Sequence, residues 1–139
     1  MSIKFCILGN PISSKNSIRS GITKSGRNYT YVNKNVKDYR DNALGQLMEQ
    51  KHKYIYDNMF NYTVADLPIQ TFCEASFLFC CNDNRKRDLV NLIQCPCDLL
   101  QQAGIILNDY LIVSLDGSRI MEVDKNNPRT EIIISLLKE

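Results

Sequence analysis

One amphipathic segment with recognisable ends, residues 88–104, constrains the fold of this chain more than any other feature. Its apolar positions follow helical spacing and share one face: Leu92, Ile93, Pro96, Leu100 and Ala103. Its polar positions share the opposite face: Asn91, Gln94, Asp98 and Gln101. Asp88 is suited to cap the first free amides and Gly104 to end the helix, so the segment predicts a helix with one buried face. Pro96 predicts a kink or a second helix start within it.

The rest of the chain predicts strands and one further helix, which together indicate an α+β domain. Strand-like runs are residues 3–8, 29–32, 70–81, 110–115 and 130–137. In residues 70–81 alternate side chains form one apolar face: Cys73, Ala75, Phe77 and Phe79. A second amphipathic helix is expected from about residue 33 to residue 53. Residues 13–28 are expected to form a polar loop and residues 54–68 an irregular connection, with room for a short helical turn in the second segment.

Length and composition predict a single domain that spans residues 1–139. The apolar fraction of 44% and the charged fraction of 23% are ordinary for a globular protein. No signal peptide or bilayer-length apolar run is recognisable, so a soluble cytoplasmic protein without a membrane partner is expected. The six cysteines favour buried free thiols. Zinc is not expected, because Cys95-Pro-Cys97 has no partner pair and the only histidine, His52, is remote.

Positive charge is concentrated in two places, although the net charge is only +2. The candidate DNA phosphate contacts lie in the polar loop after the first strand and just ahead of the helix: Lys15, Arg19, Lys24, Arg27, Arg85, Lys86 and Arg87. Each can instead be an ordinary solubilising charge, and the loop a plain connector. Tyr29, Tyr31 and Tyr39 can stack on splayed bases, but at these spacings core packing is expected.

Three acids near the helix form a candidate metal site. Asp88 leads the helix, Asp98 lies on its polar face, and Asp109 lies in the turn before the next strand. Carboxylates that converge at the end of a sheet suit Mg²⁺, whose other ligands are waters and phosphate oxygens, and such a site favours phosphodiester hydrolysis. The alternative is structural, with Asp88 as a cap, Asp98 as a solvated helix residue and Asn108-Asp109 as a turn.

The order of these motifs resembles the RusA family of Holliday-junction resolvases. The residues that carry the resemblance are RKRDLVNL, then DLLQQAGIILND, and upstream NPISSKNSIR and RNYTYVNKNVKDYRDNA. The family pattern is a basic run, D-x-D-N-L, a helical Asp, a Gly and an Asp-Asp pair. The match runs in the same order from about Ile3 to the last strand.

The resemblance implies a RusA-like, dimeric α+β fold with a small mixed β-sheet and two main helices. It also implies a magnesium-dependent endodeoxyribonuclease that resolves four-way junctions by paired symmetric nicks, in DNA recombination and repair, in a bacterium or a phage-infected cell. Two related sites on a homodimer suit a two-fold junction. Manganese is the expected substitute for magnesium, and no small-molecule cofactor is expected. The implied catalytic residues are Asp88, Asn91, Asp98 and Asp109, with the three aspartates as metal ligands.

Three positions depart from the family pattern. Val90 stands in place of the second Asp of D-x-D, Gln94 in place of a lysine, and Asn108 in place of the first Asp of the pair. A valine cannot bind a metal, and loss of the lysine removes a cation suited to transition-state charge. Asp116 and Glu122 are candidate replacements for the missing acid.

Three functions are therefore open. The first is a divergent nuclease that uses Asp88, Asp98 and Asp109, with Asn91 holding a ligand or a water in place. The second is a catalytically silent protein of the same fold that binds branched DNA by shape, which predicts junction binding without cleavage. The third is a small α+β domain with a generic nucleic-acid patch, which predicts that four-way and linear DNA bind alike.

Overall fold

The computed structural model describes residues 1–13 and 18–137 and shows an α+β fold with two helices and a mixed sheet. This confirms the fold class expected from the sequence. A short 3₁₀ turn at Asp109–Leu111 precedes the fifth strand. The elements in chain order are β1 Ser2–Leu8, β2 Ile18–Ile22, β3 Asn28–Val32, α1 Lys34–Asp57, β4 Cys73–Cys80, α2 Leu89–Gln102, β5 Ile112–Ser114, β6 Arg119–Ile120 and β7 Arg129–Leu136.

The main sheet has the strand order β1-β7-β4-β5, and β6 pairs with a later part of β4. Strand β7 runs antiparallel to both β1 and β4, whereas β5 and β6 run parallel to β4. Alternate residues of the central strand β4 are fully buried, as predicted: Cys73, Ala75, Phe77 and Phe79. One face of the sheet therefore carries the core.

Both helices pack on that buried face. From α1 the buried residues are Ala43 and Leu47. The predicted apolar face of α2 is confirmed, because all five of its members are buried: Leu92, Ile93, Pro96, Leu100 and Ala103. However, α2 runs through Pro96 without interruption, so the prediction of a second helix start was wrong. Burial of apolar side chains on both sides of Pro96 outweighs the one backbone hydrogen bond that a proline cannot donate.

The larger differences from the sequence prediction concern β2, the end of α1, the start of β4 and the residues before β5. Residues 18–22, expected to lie in the polar loop, form β2, because their backbone pairs with β3 over five residues despite a composition poor in strand formers. Helix α1 continues to Asp57, where Lys53 forms an ion pair at 2.6 Å and Asn58 caps the end. Strand β4 begins at Cys73 rather than at residue 70. The 3₁₀ turn replaces the first residues of the strand expected at 110–115, since the Asn108 side chain accepts a hydrogen bond from the Tyr110 N–H.

Two glutamines of α1 cover the outer edge of strand β1. The Gln50 side chain accepts a hydrogen bond from the Cys6 N–H (2.9 Å) and donates one to the Cys6 carbonyl oxygen (2.7 Å). One turn earlier, Gln46 makes the same pair of hydrogen bonds with Leu8, at 2.7 and 3.0 Å. Each side-chain amide thus replaces the peptide group of a neighbouring strand.

The prediction of free cysteine thiols, most of them buried, is confirmed. All six cysteines are free thiols, four of them buried and two half-buried. Within residues 1–13 and 18–137, neither helix combines the length and the apolar character needed to cross a membrane.

Candidate nuclease and nucleic-acid site

A groove of about 240 Å³ lies between α2 and the segment that contains the 3₁₀ turn and β5. Helix α2 contributes one stripe at helical spacing, from Val90 to Cys97, and among the described residues that line the groove only Asp109 is charged. The lining residues are Val90, Ile93, Gln94, Cys97, Asp109, Ile112 and Leu115. The groove is therefore a largely apolar channel with one carboxylate.

Asp88 is the N-cap of α2, as the sequence predicts. Its Oδ1 accepts hydrogen bonds from the N–H groups of Val90 (3.0 Å) and Asn91 (3.4 Å). The residue is exposed and does not line the groove. One carboxylate oxygen thus stabilises the helix start, where the helix dipole also favours a negative charge.

Asp98 lies further along α2 and is engaged on both oxygens. The Gln94 side-chain amide donates a hydrogen bond to its Oδ1 at 3.0 Å. Nη2 of Arg40 from α1 lies 3.9 Å from its Oδ2, and both side chains are partly buried. Gln94, which replaces the lysine of the family pattern, therefore orients Asp98 on the polar face of the helix.

Asp109 is held at the start of the 3₁₀ turn by hydrogen bonds of its neighbours. Its backbone N–H donates to Oε1 of Gln101 at 3.0 Å, which ties the turn to the end of α2. The preceding Asn108 accepts a hydrogen bond from the Tyr110 N–H at 3.1 Å. Because an asparagine caps such a turn as well as an aspartate does, Asn108 keeps the local backbone geometry but carries no charge.

Cys97 lines the groove, and the charges of both Asp98 and Asp109 affect its thiol. Its place in the site was not predicted from the sequence. Burial, followed by the negative charges of Asp109 and Asp98, raises the pKa of the Cys97 thiol to about 12. A thiol with so high a pKa is protonated at neutral pH and inert. The spacing Val90, Ile93, Gln94 and Cys97, at i, i+3, i+4 and i+7, was the available sign that these residues share one stripe.

The acids do not form a ready metal site in the described part of the chain. In residues 1–13 and 18–137, no three side chains of histidine, cysteine, aspartate or glutamate are grouped so that they could hold a metal ion. The structure thus does not bring Asp88, Asp98 and Asp109 together as such a group, nor does it add Asp116 or Glu122 to them. Position 90, where the family pattern has an acid, presents an exposed valine at the groove. Within the described residues, the protein side chains alone therefore form no complete set of metal ligands.

The three predicted cations ahead of α2 differ in their exposure and in their hydrogen-bond partners. Arg87 is half-buried and its guanidinium bonds Asp83 through the carboxylate (2.8 Å) and the backbone carbonyl (3.0 Å). Arg85 is exposed and lies 3.2 Å from the same carboxylate. Hydrogen bonds from the Arg85 N–H and the Arg87 side chain lower the pKa of Asp83. Lys86 is exposed and has no partner among the residues that the structure describes, so of the three it is the one free to reach a phosphate.

The predicted cations of the N-terminal loop lie on the β2–β3 hairpin. Arg19, Lys24 and Arg27 are all exposed there, whereas Lys15 lies outside the described residues. The expectation of core packing was wrong for Tyr29 and Tyr31, which are 47% and 48% exposed because the hairpin projects from the core. For Tyr39 it was correct, since this side chain packs against the core and burial raises its pKa to about 12.

Comparison with known proteins identifies one family. A family model described as Endodeoxyribonuclease RusA matches residues 9–135, which is most of the chain and contains α2, the groove and the hairpin. The search of curated proteins found no significant match. Because the family model covers well over half of the sequence in one continuous stretch, the chain belongs to the RusA family of endodeoxyribonucleases.

Proposed function

We propose that this protein is a structure-specific endodeoxyribonuclease that resolves four-way DNA junctions by paired symmetric nicks, in recombination and repair. The observation that supports it best is the family match over residues 9–135, within which Asp88 and Asp109 keep the first and last acids of the family pattern. The protein acts as a homodimer in this proposal, since a junction with two-fold symmetry requires two related sites.

The exposed cations of the described residues lie outside the groove, where they can contact DNA phosphates. The groove has Asp109 as its only charge, so a phosphate at its mouth needs cations from outside the groove. Lys86 is exposed just ahead of α2, and Lys24 and Arg27 are exposed on the hairpin. These cations neutralise and position the strand, which supplies most of the affinity of DNA-binding proteins.

Dependence on Mg²⁺, with Mn²⁺ as a substitute, is part of the proposal. Asp88, Asp98 and Asp109 are the candidate ligands, and Asn91 is the candidate residue that holds a water or a ligand. Because the described part of the chain groups no complete set of ligands, waters and DNA phosphate oxygens are best suited to supplement the carboxylates.

The second candidate function is a catalytically silent protein that binds branched DNA by shape. A specific observation favours it: Val90 occupies the position of a family acid and is 75% exposed at the groove. In addition, Gln94 is neutral and already bonded to Asp98, so it supplies no charge to a transition state. A protein of this kind keeps the fold and the DNA-binding cations but does not cleave DNA.

The deciding experiment uses a labelled synthetic four-way junction, incubated with Mg²⁺ and then with Mn²⁺. A gel shift of the same junction and of a linear duplex is measured in parallel. The variants are Asp88→Asn, Asp98→Asn and Asp109→Asn, because asparagine keeps the size of each side chain and, at position 88, the capping oxygen. Asp66→Asn is the matched control, since Asp66 is an exposed acid that lines a different cavity.

Each function predicts a different pattern of products. Symmetric nicks that disappear in all three variants and persist in Asp66→Asn support the nuclease and its three acids. If Asp98→Asn nicks as well as the parent, Asp98 is not part of the site. Junction-selective binding without nicks at any Mg²⁺ or Mn²⁺ concentration supports the silent protein, and equal binding of junction and duplex contradicts both.

A further inference from the structure

Among the residues that the structure describes, the β2–β3 hairpin pairs with no strand of the main sheet. It forms a separate two-stranded sheet, and all five residues of β3 are exposed. Two strands alone are marginally stable in water, because neither face is covered. A surface of this kind gains stability when a ligand covers it.

Two tyrosine rings form one face of this hairpin. Tyr29 and Tyr31 are two residues apart on one strand, so their side chains point to the same side, and their ring centroids are 5.8 Å apart. Gly21 pairs directly with Tyr29 across the hairpin. A Cβ atom at Gly21 would stand 2.5 Å from the Tyr29 ring, so the ring lies against the glycine backbone. The Tyr29 ring thus occupies space that only a glycine at position 21 leaves open.

The charge of the hairpin has one sign. Residues 18–32 contain three cations, Arg19, Lys24 and Arg27, and no acid. The turn is closed by hydrogen bonds between Thr23 and Arg27, so Lys24 lies in the turn and Arg27 lies two residues before Tyr29 on the same segment. An aromatic face flanked only by cations is complementary to a polyanion that presents flat rings.

We propose that Tyr29 and Tyr31 stack on unpaired bases of the DNA while Lys24 and Arg27 contact the adjoining phosphates. This rests on the DNA binding of the proposed function and specifies its ligand as a single-stranded or splayed segment, such as the opened centre of a junction. In a closed duplex the faces of the bases are covered by their neighbours, so only unpaired bases offer a free face to the rings. Base–aromatic stacking is tolerant of sequence and contributes strongly to such complexes.

The test compares binding of the full chain to labelled oligothymidine, to a four-way junction and to a perfect duplex by fluorescence anisotropy. In the double variant Tyr29→Leu/Tyr31→Leu, affinity for oligothymidine should fall about tenfold or more, with duplex affinity within about twofold of the parent because the cations remain. The matched control is Tyr56→Leu/Tyr62→Leu, since these tyrosines are exposed near the C-terminal end of α1, outside the hairpin. It should bind all three DNAs as the parent does.

Two further variants separate the rings from the fold. Tyr29→Phe/Tyr31→Phe keeps both rings and should retain oligothymidine binding. Gly21→Ala keeps both tyrosines but displaces the Tyr29 ring, and should weaken oligothymidine binding while leaving the duplex unaffected. Circular dichroism of each variant verifies that α1, α2 and the main sheet are intact.

Several outcomes would overturn the proposal. One is unchanged oligothymidine binding in the leucine double variant, and another is an equal loss in the Tyr56/Tyr62 control. A loss of the same size for oligothymidine and duplex would mean that the leucine variant disturbs the hairpin as a whole, and not that it removes stacking. A change of oligomeric state, measured by analytical ultracentrifugation, means that a second copy covers the tyrosine face. If the parent binds no DNA, the proposed function fails as well. If the parent nicks junctions and the leucine variant binds oligothymidine normally, only the stacking proposal is overturned.

Discussion

Val90 and Asp109 line the same groove, Val90 from the first turn of α2 and Asp109 from the 3₁₀ turn before β5. The valine is 75% exposed, so its position is open to solvent and to substrate. An acid at position 90 would thus give the groove a second carboxylate beside Asp109, where the described residues now present one.

Val90→Asp is therefore expected to create a cation site. Binding of Mn²⁺ should strengthen by roughly tenfold or more, because affinity for hard cations rises with the number of carboxylate ligands. Isothermal titration calorimetry of the free protein measures this without reference to activity, and nicking of a four-way junction is measured afterwards. Val113→Asp is the matched control, since Val113 is also exposed but does not line the groove. Equal Mn²⁺ binding by the two variants would contradict the expectation.

Asp88 has a structural role that can be separated from a chemical one. Asp88→Ala should lower the free energy of unfolding by about 1 kcal/mol, because two amides of α2 lose their acceptor. Asp88→Asn should cost much less, since asparagine caps helices equally well. Urea denaturation followed by circular dichroism gives both values. If the two variants are equally destabilised, the contribution comes from the charge and the helix dipole rather than from the cap.

The Cys97 thiol makes stability fall at alkaline pH. Its pKa rises from 9.0 to about 12 on folding, chiefly through burial. Between about pH 9 and pH 12 the unfolded chain loses this proton while the folded chain keeps it, so the unfolded state binds fewer protons and the free energy of unfolding decreases as pH rises. In Cys97→Ala the decrease between pH 8 and pH 10.5 should be smaller. A decrease of the same size would mean that other groups, such as Cys95 or Tyr39, account for it.

Arg87 and Lys86 are adjacent and should respond differently to truncation. Arg87→Ala removes the hydrogen bonds to Asp83 and should lower the free energy of unfolding by about 1 kcal/mol. Lys86→Ala should leave it within about 0.5 kcal/mol of the parent. In DNA binding measured over a range of salt concentrations, Lys86→Ala should reduce the slope of log affinity against log salt by about one. An unchanged slope would show that Lys86 contacts no phosphate.

Local periodicity explains which parts of the fold could be predicted from the sequence. The apolar spacing of α2 and the alternation along β4 each identify a buried face without any knowledge of the partner element. The role of Asp88 as a cap was predicted for the same reason, because a cap acts within one helical turn. Such features depend on neighbours in sequence, and the structure confirms them.

Features that depend on distant partners could not be predicted in this way. Strand β2 has the composition of a loop and becomes a strand only through pairing with β3. The two-residue strand β6 is ordered by its parallel pairing with Leu78 and Phe79 of β4. For the candidate site, the sequence identified the acids but not the groove, because Val90 and Asp109 meet only when α2 packs beside β5.

The amides of Gln46 and Gln50 have a consequence for how copies of this protein can assemble. They occupy hydrogen-bonding groups of Cys6 and Leu8 that another chain would need in order to add a strand beside β1. Continuous sheets across two subunits, and the fibrous aggregates that grow by the same route, are therefore blocked at this border of the molecule. A dimer that uses this border must therefore join through side chains, and a sheet shared between two subunits would have to form at a different strand edge.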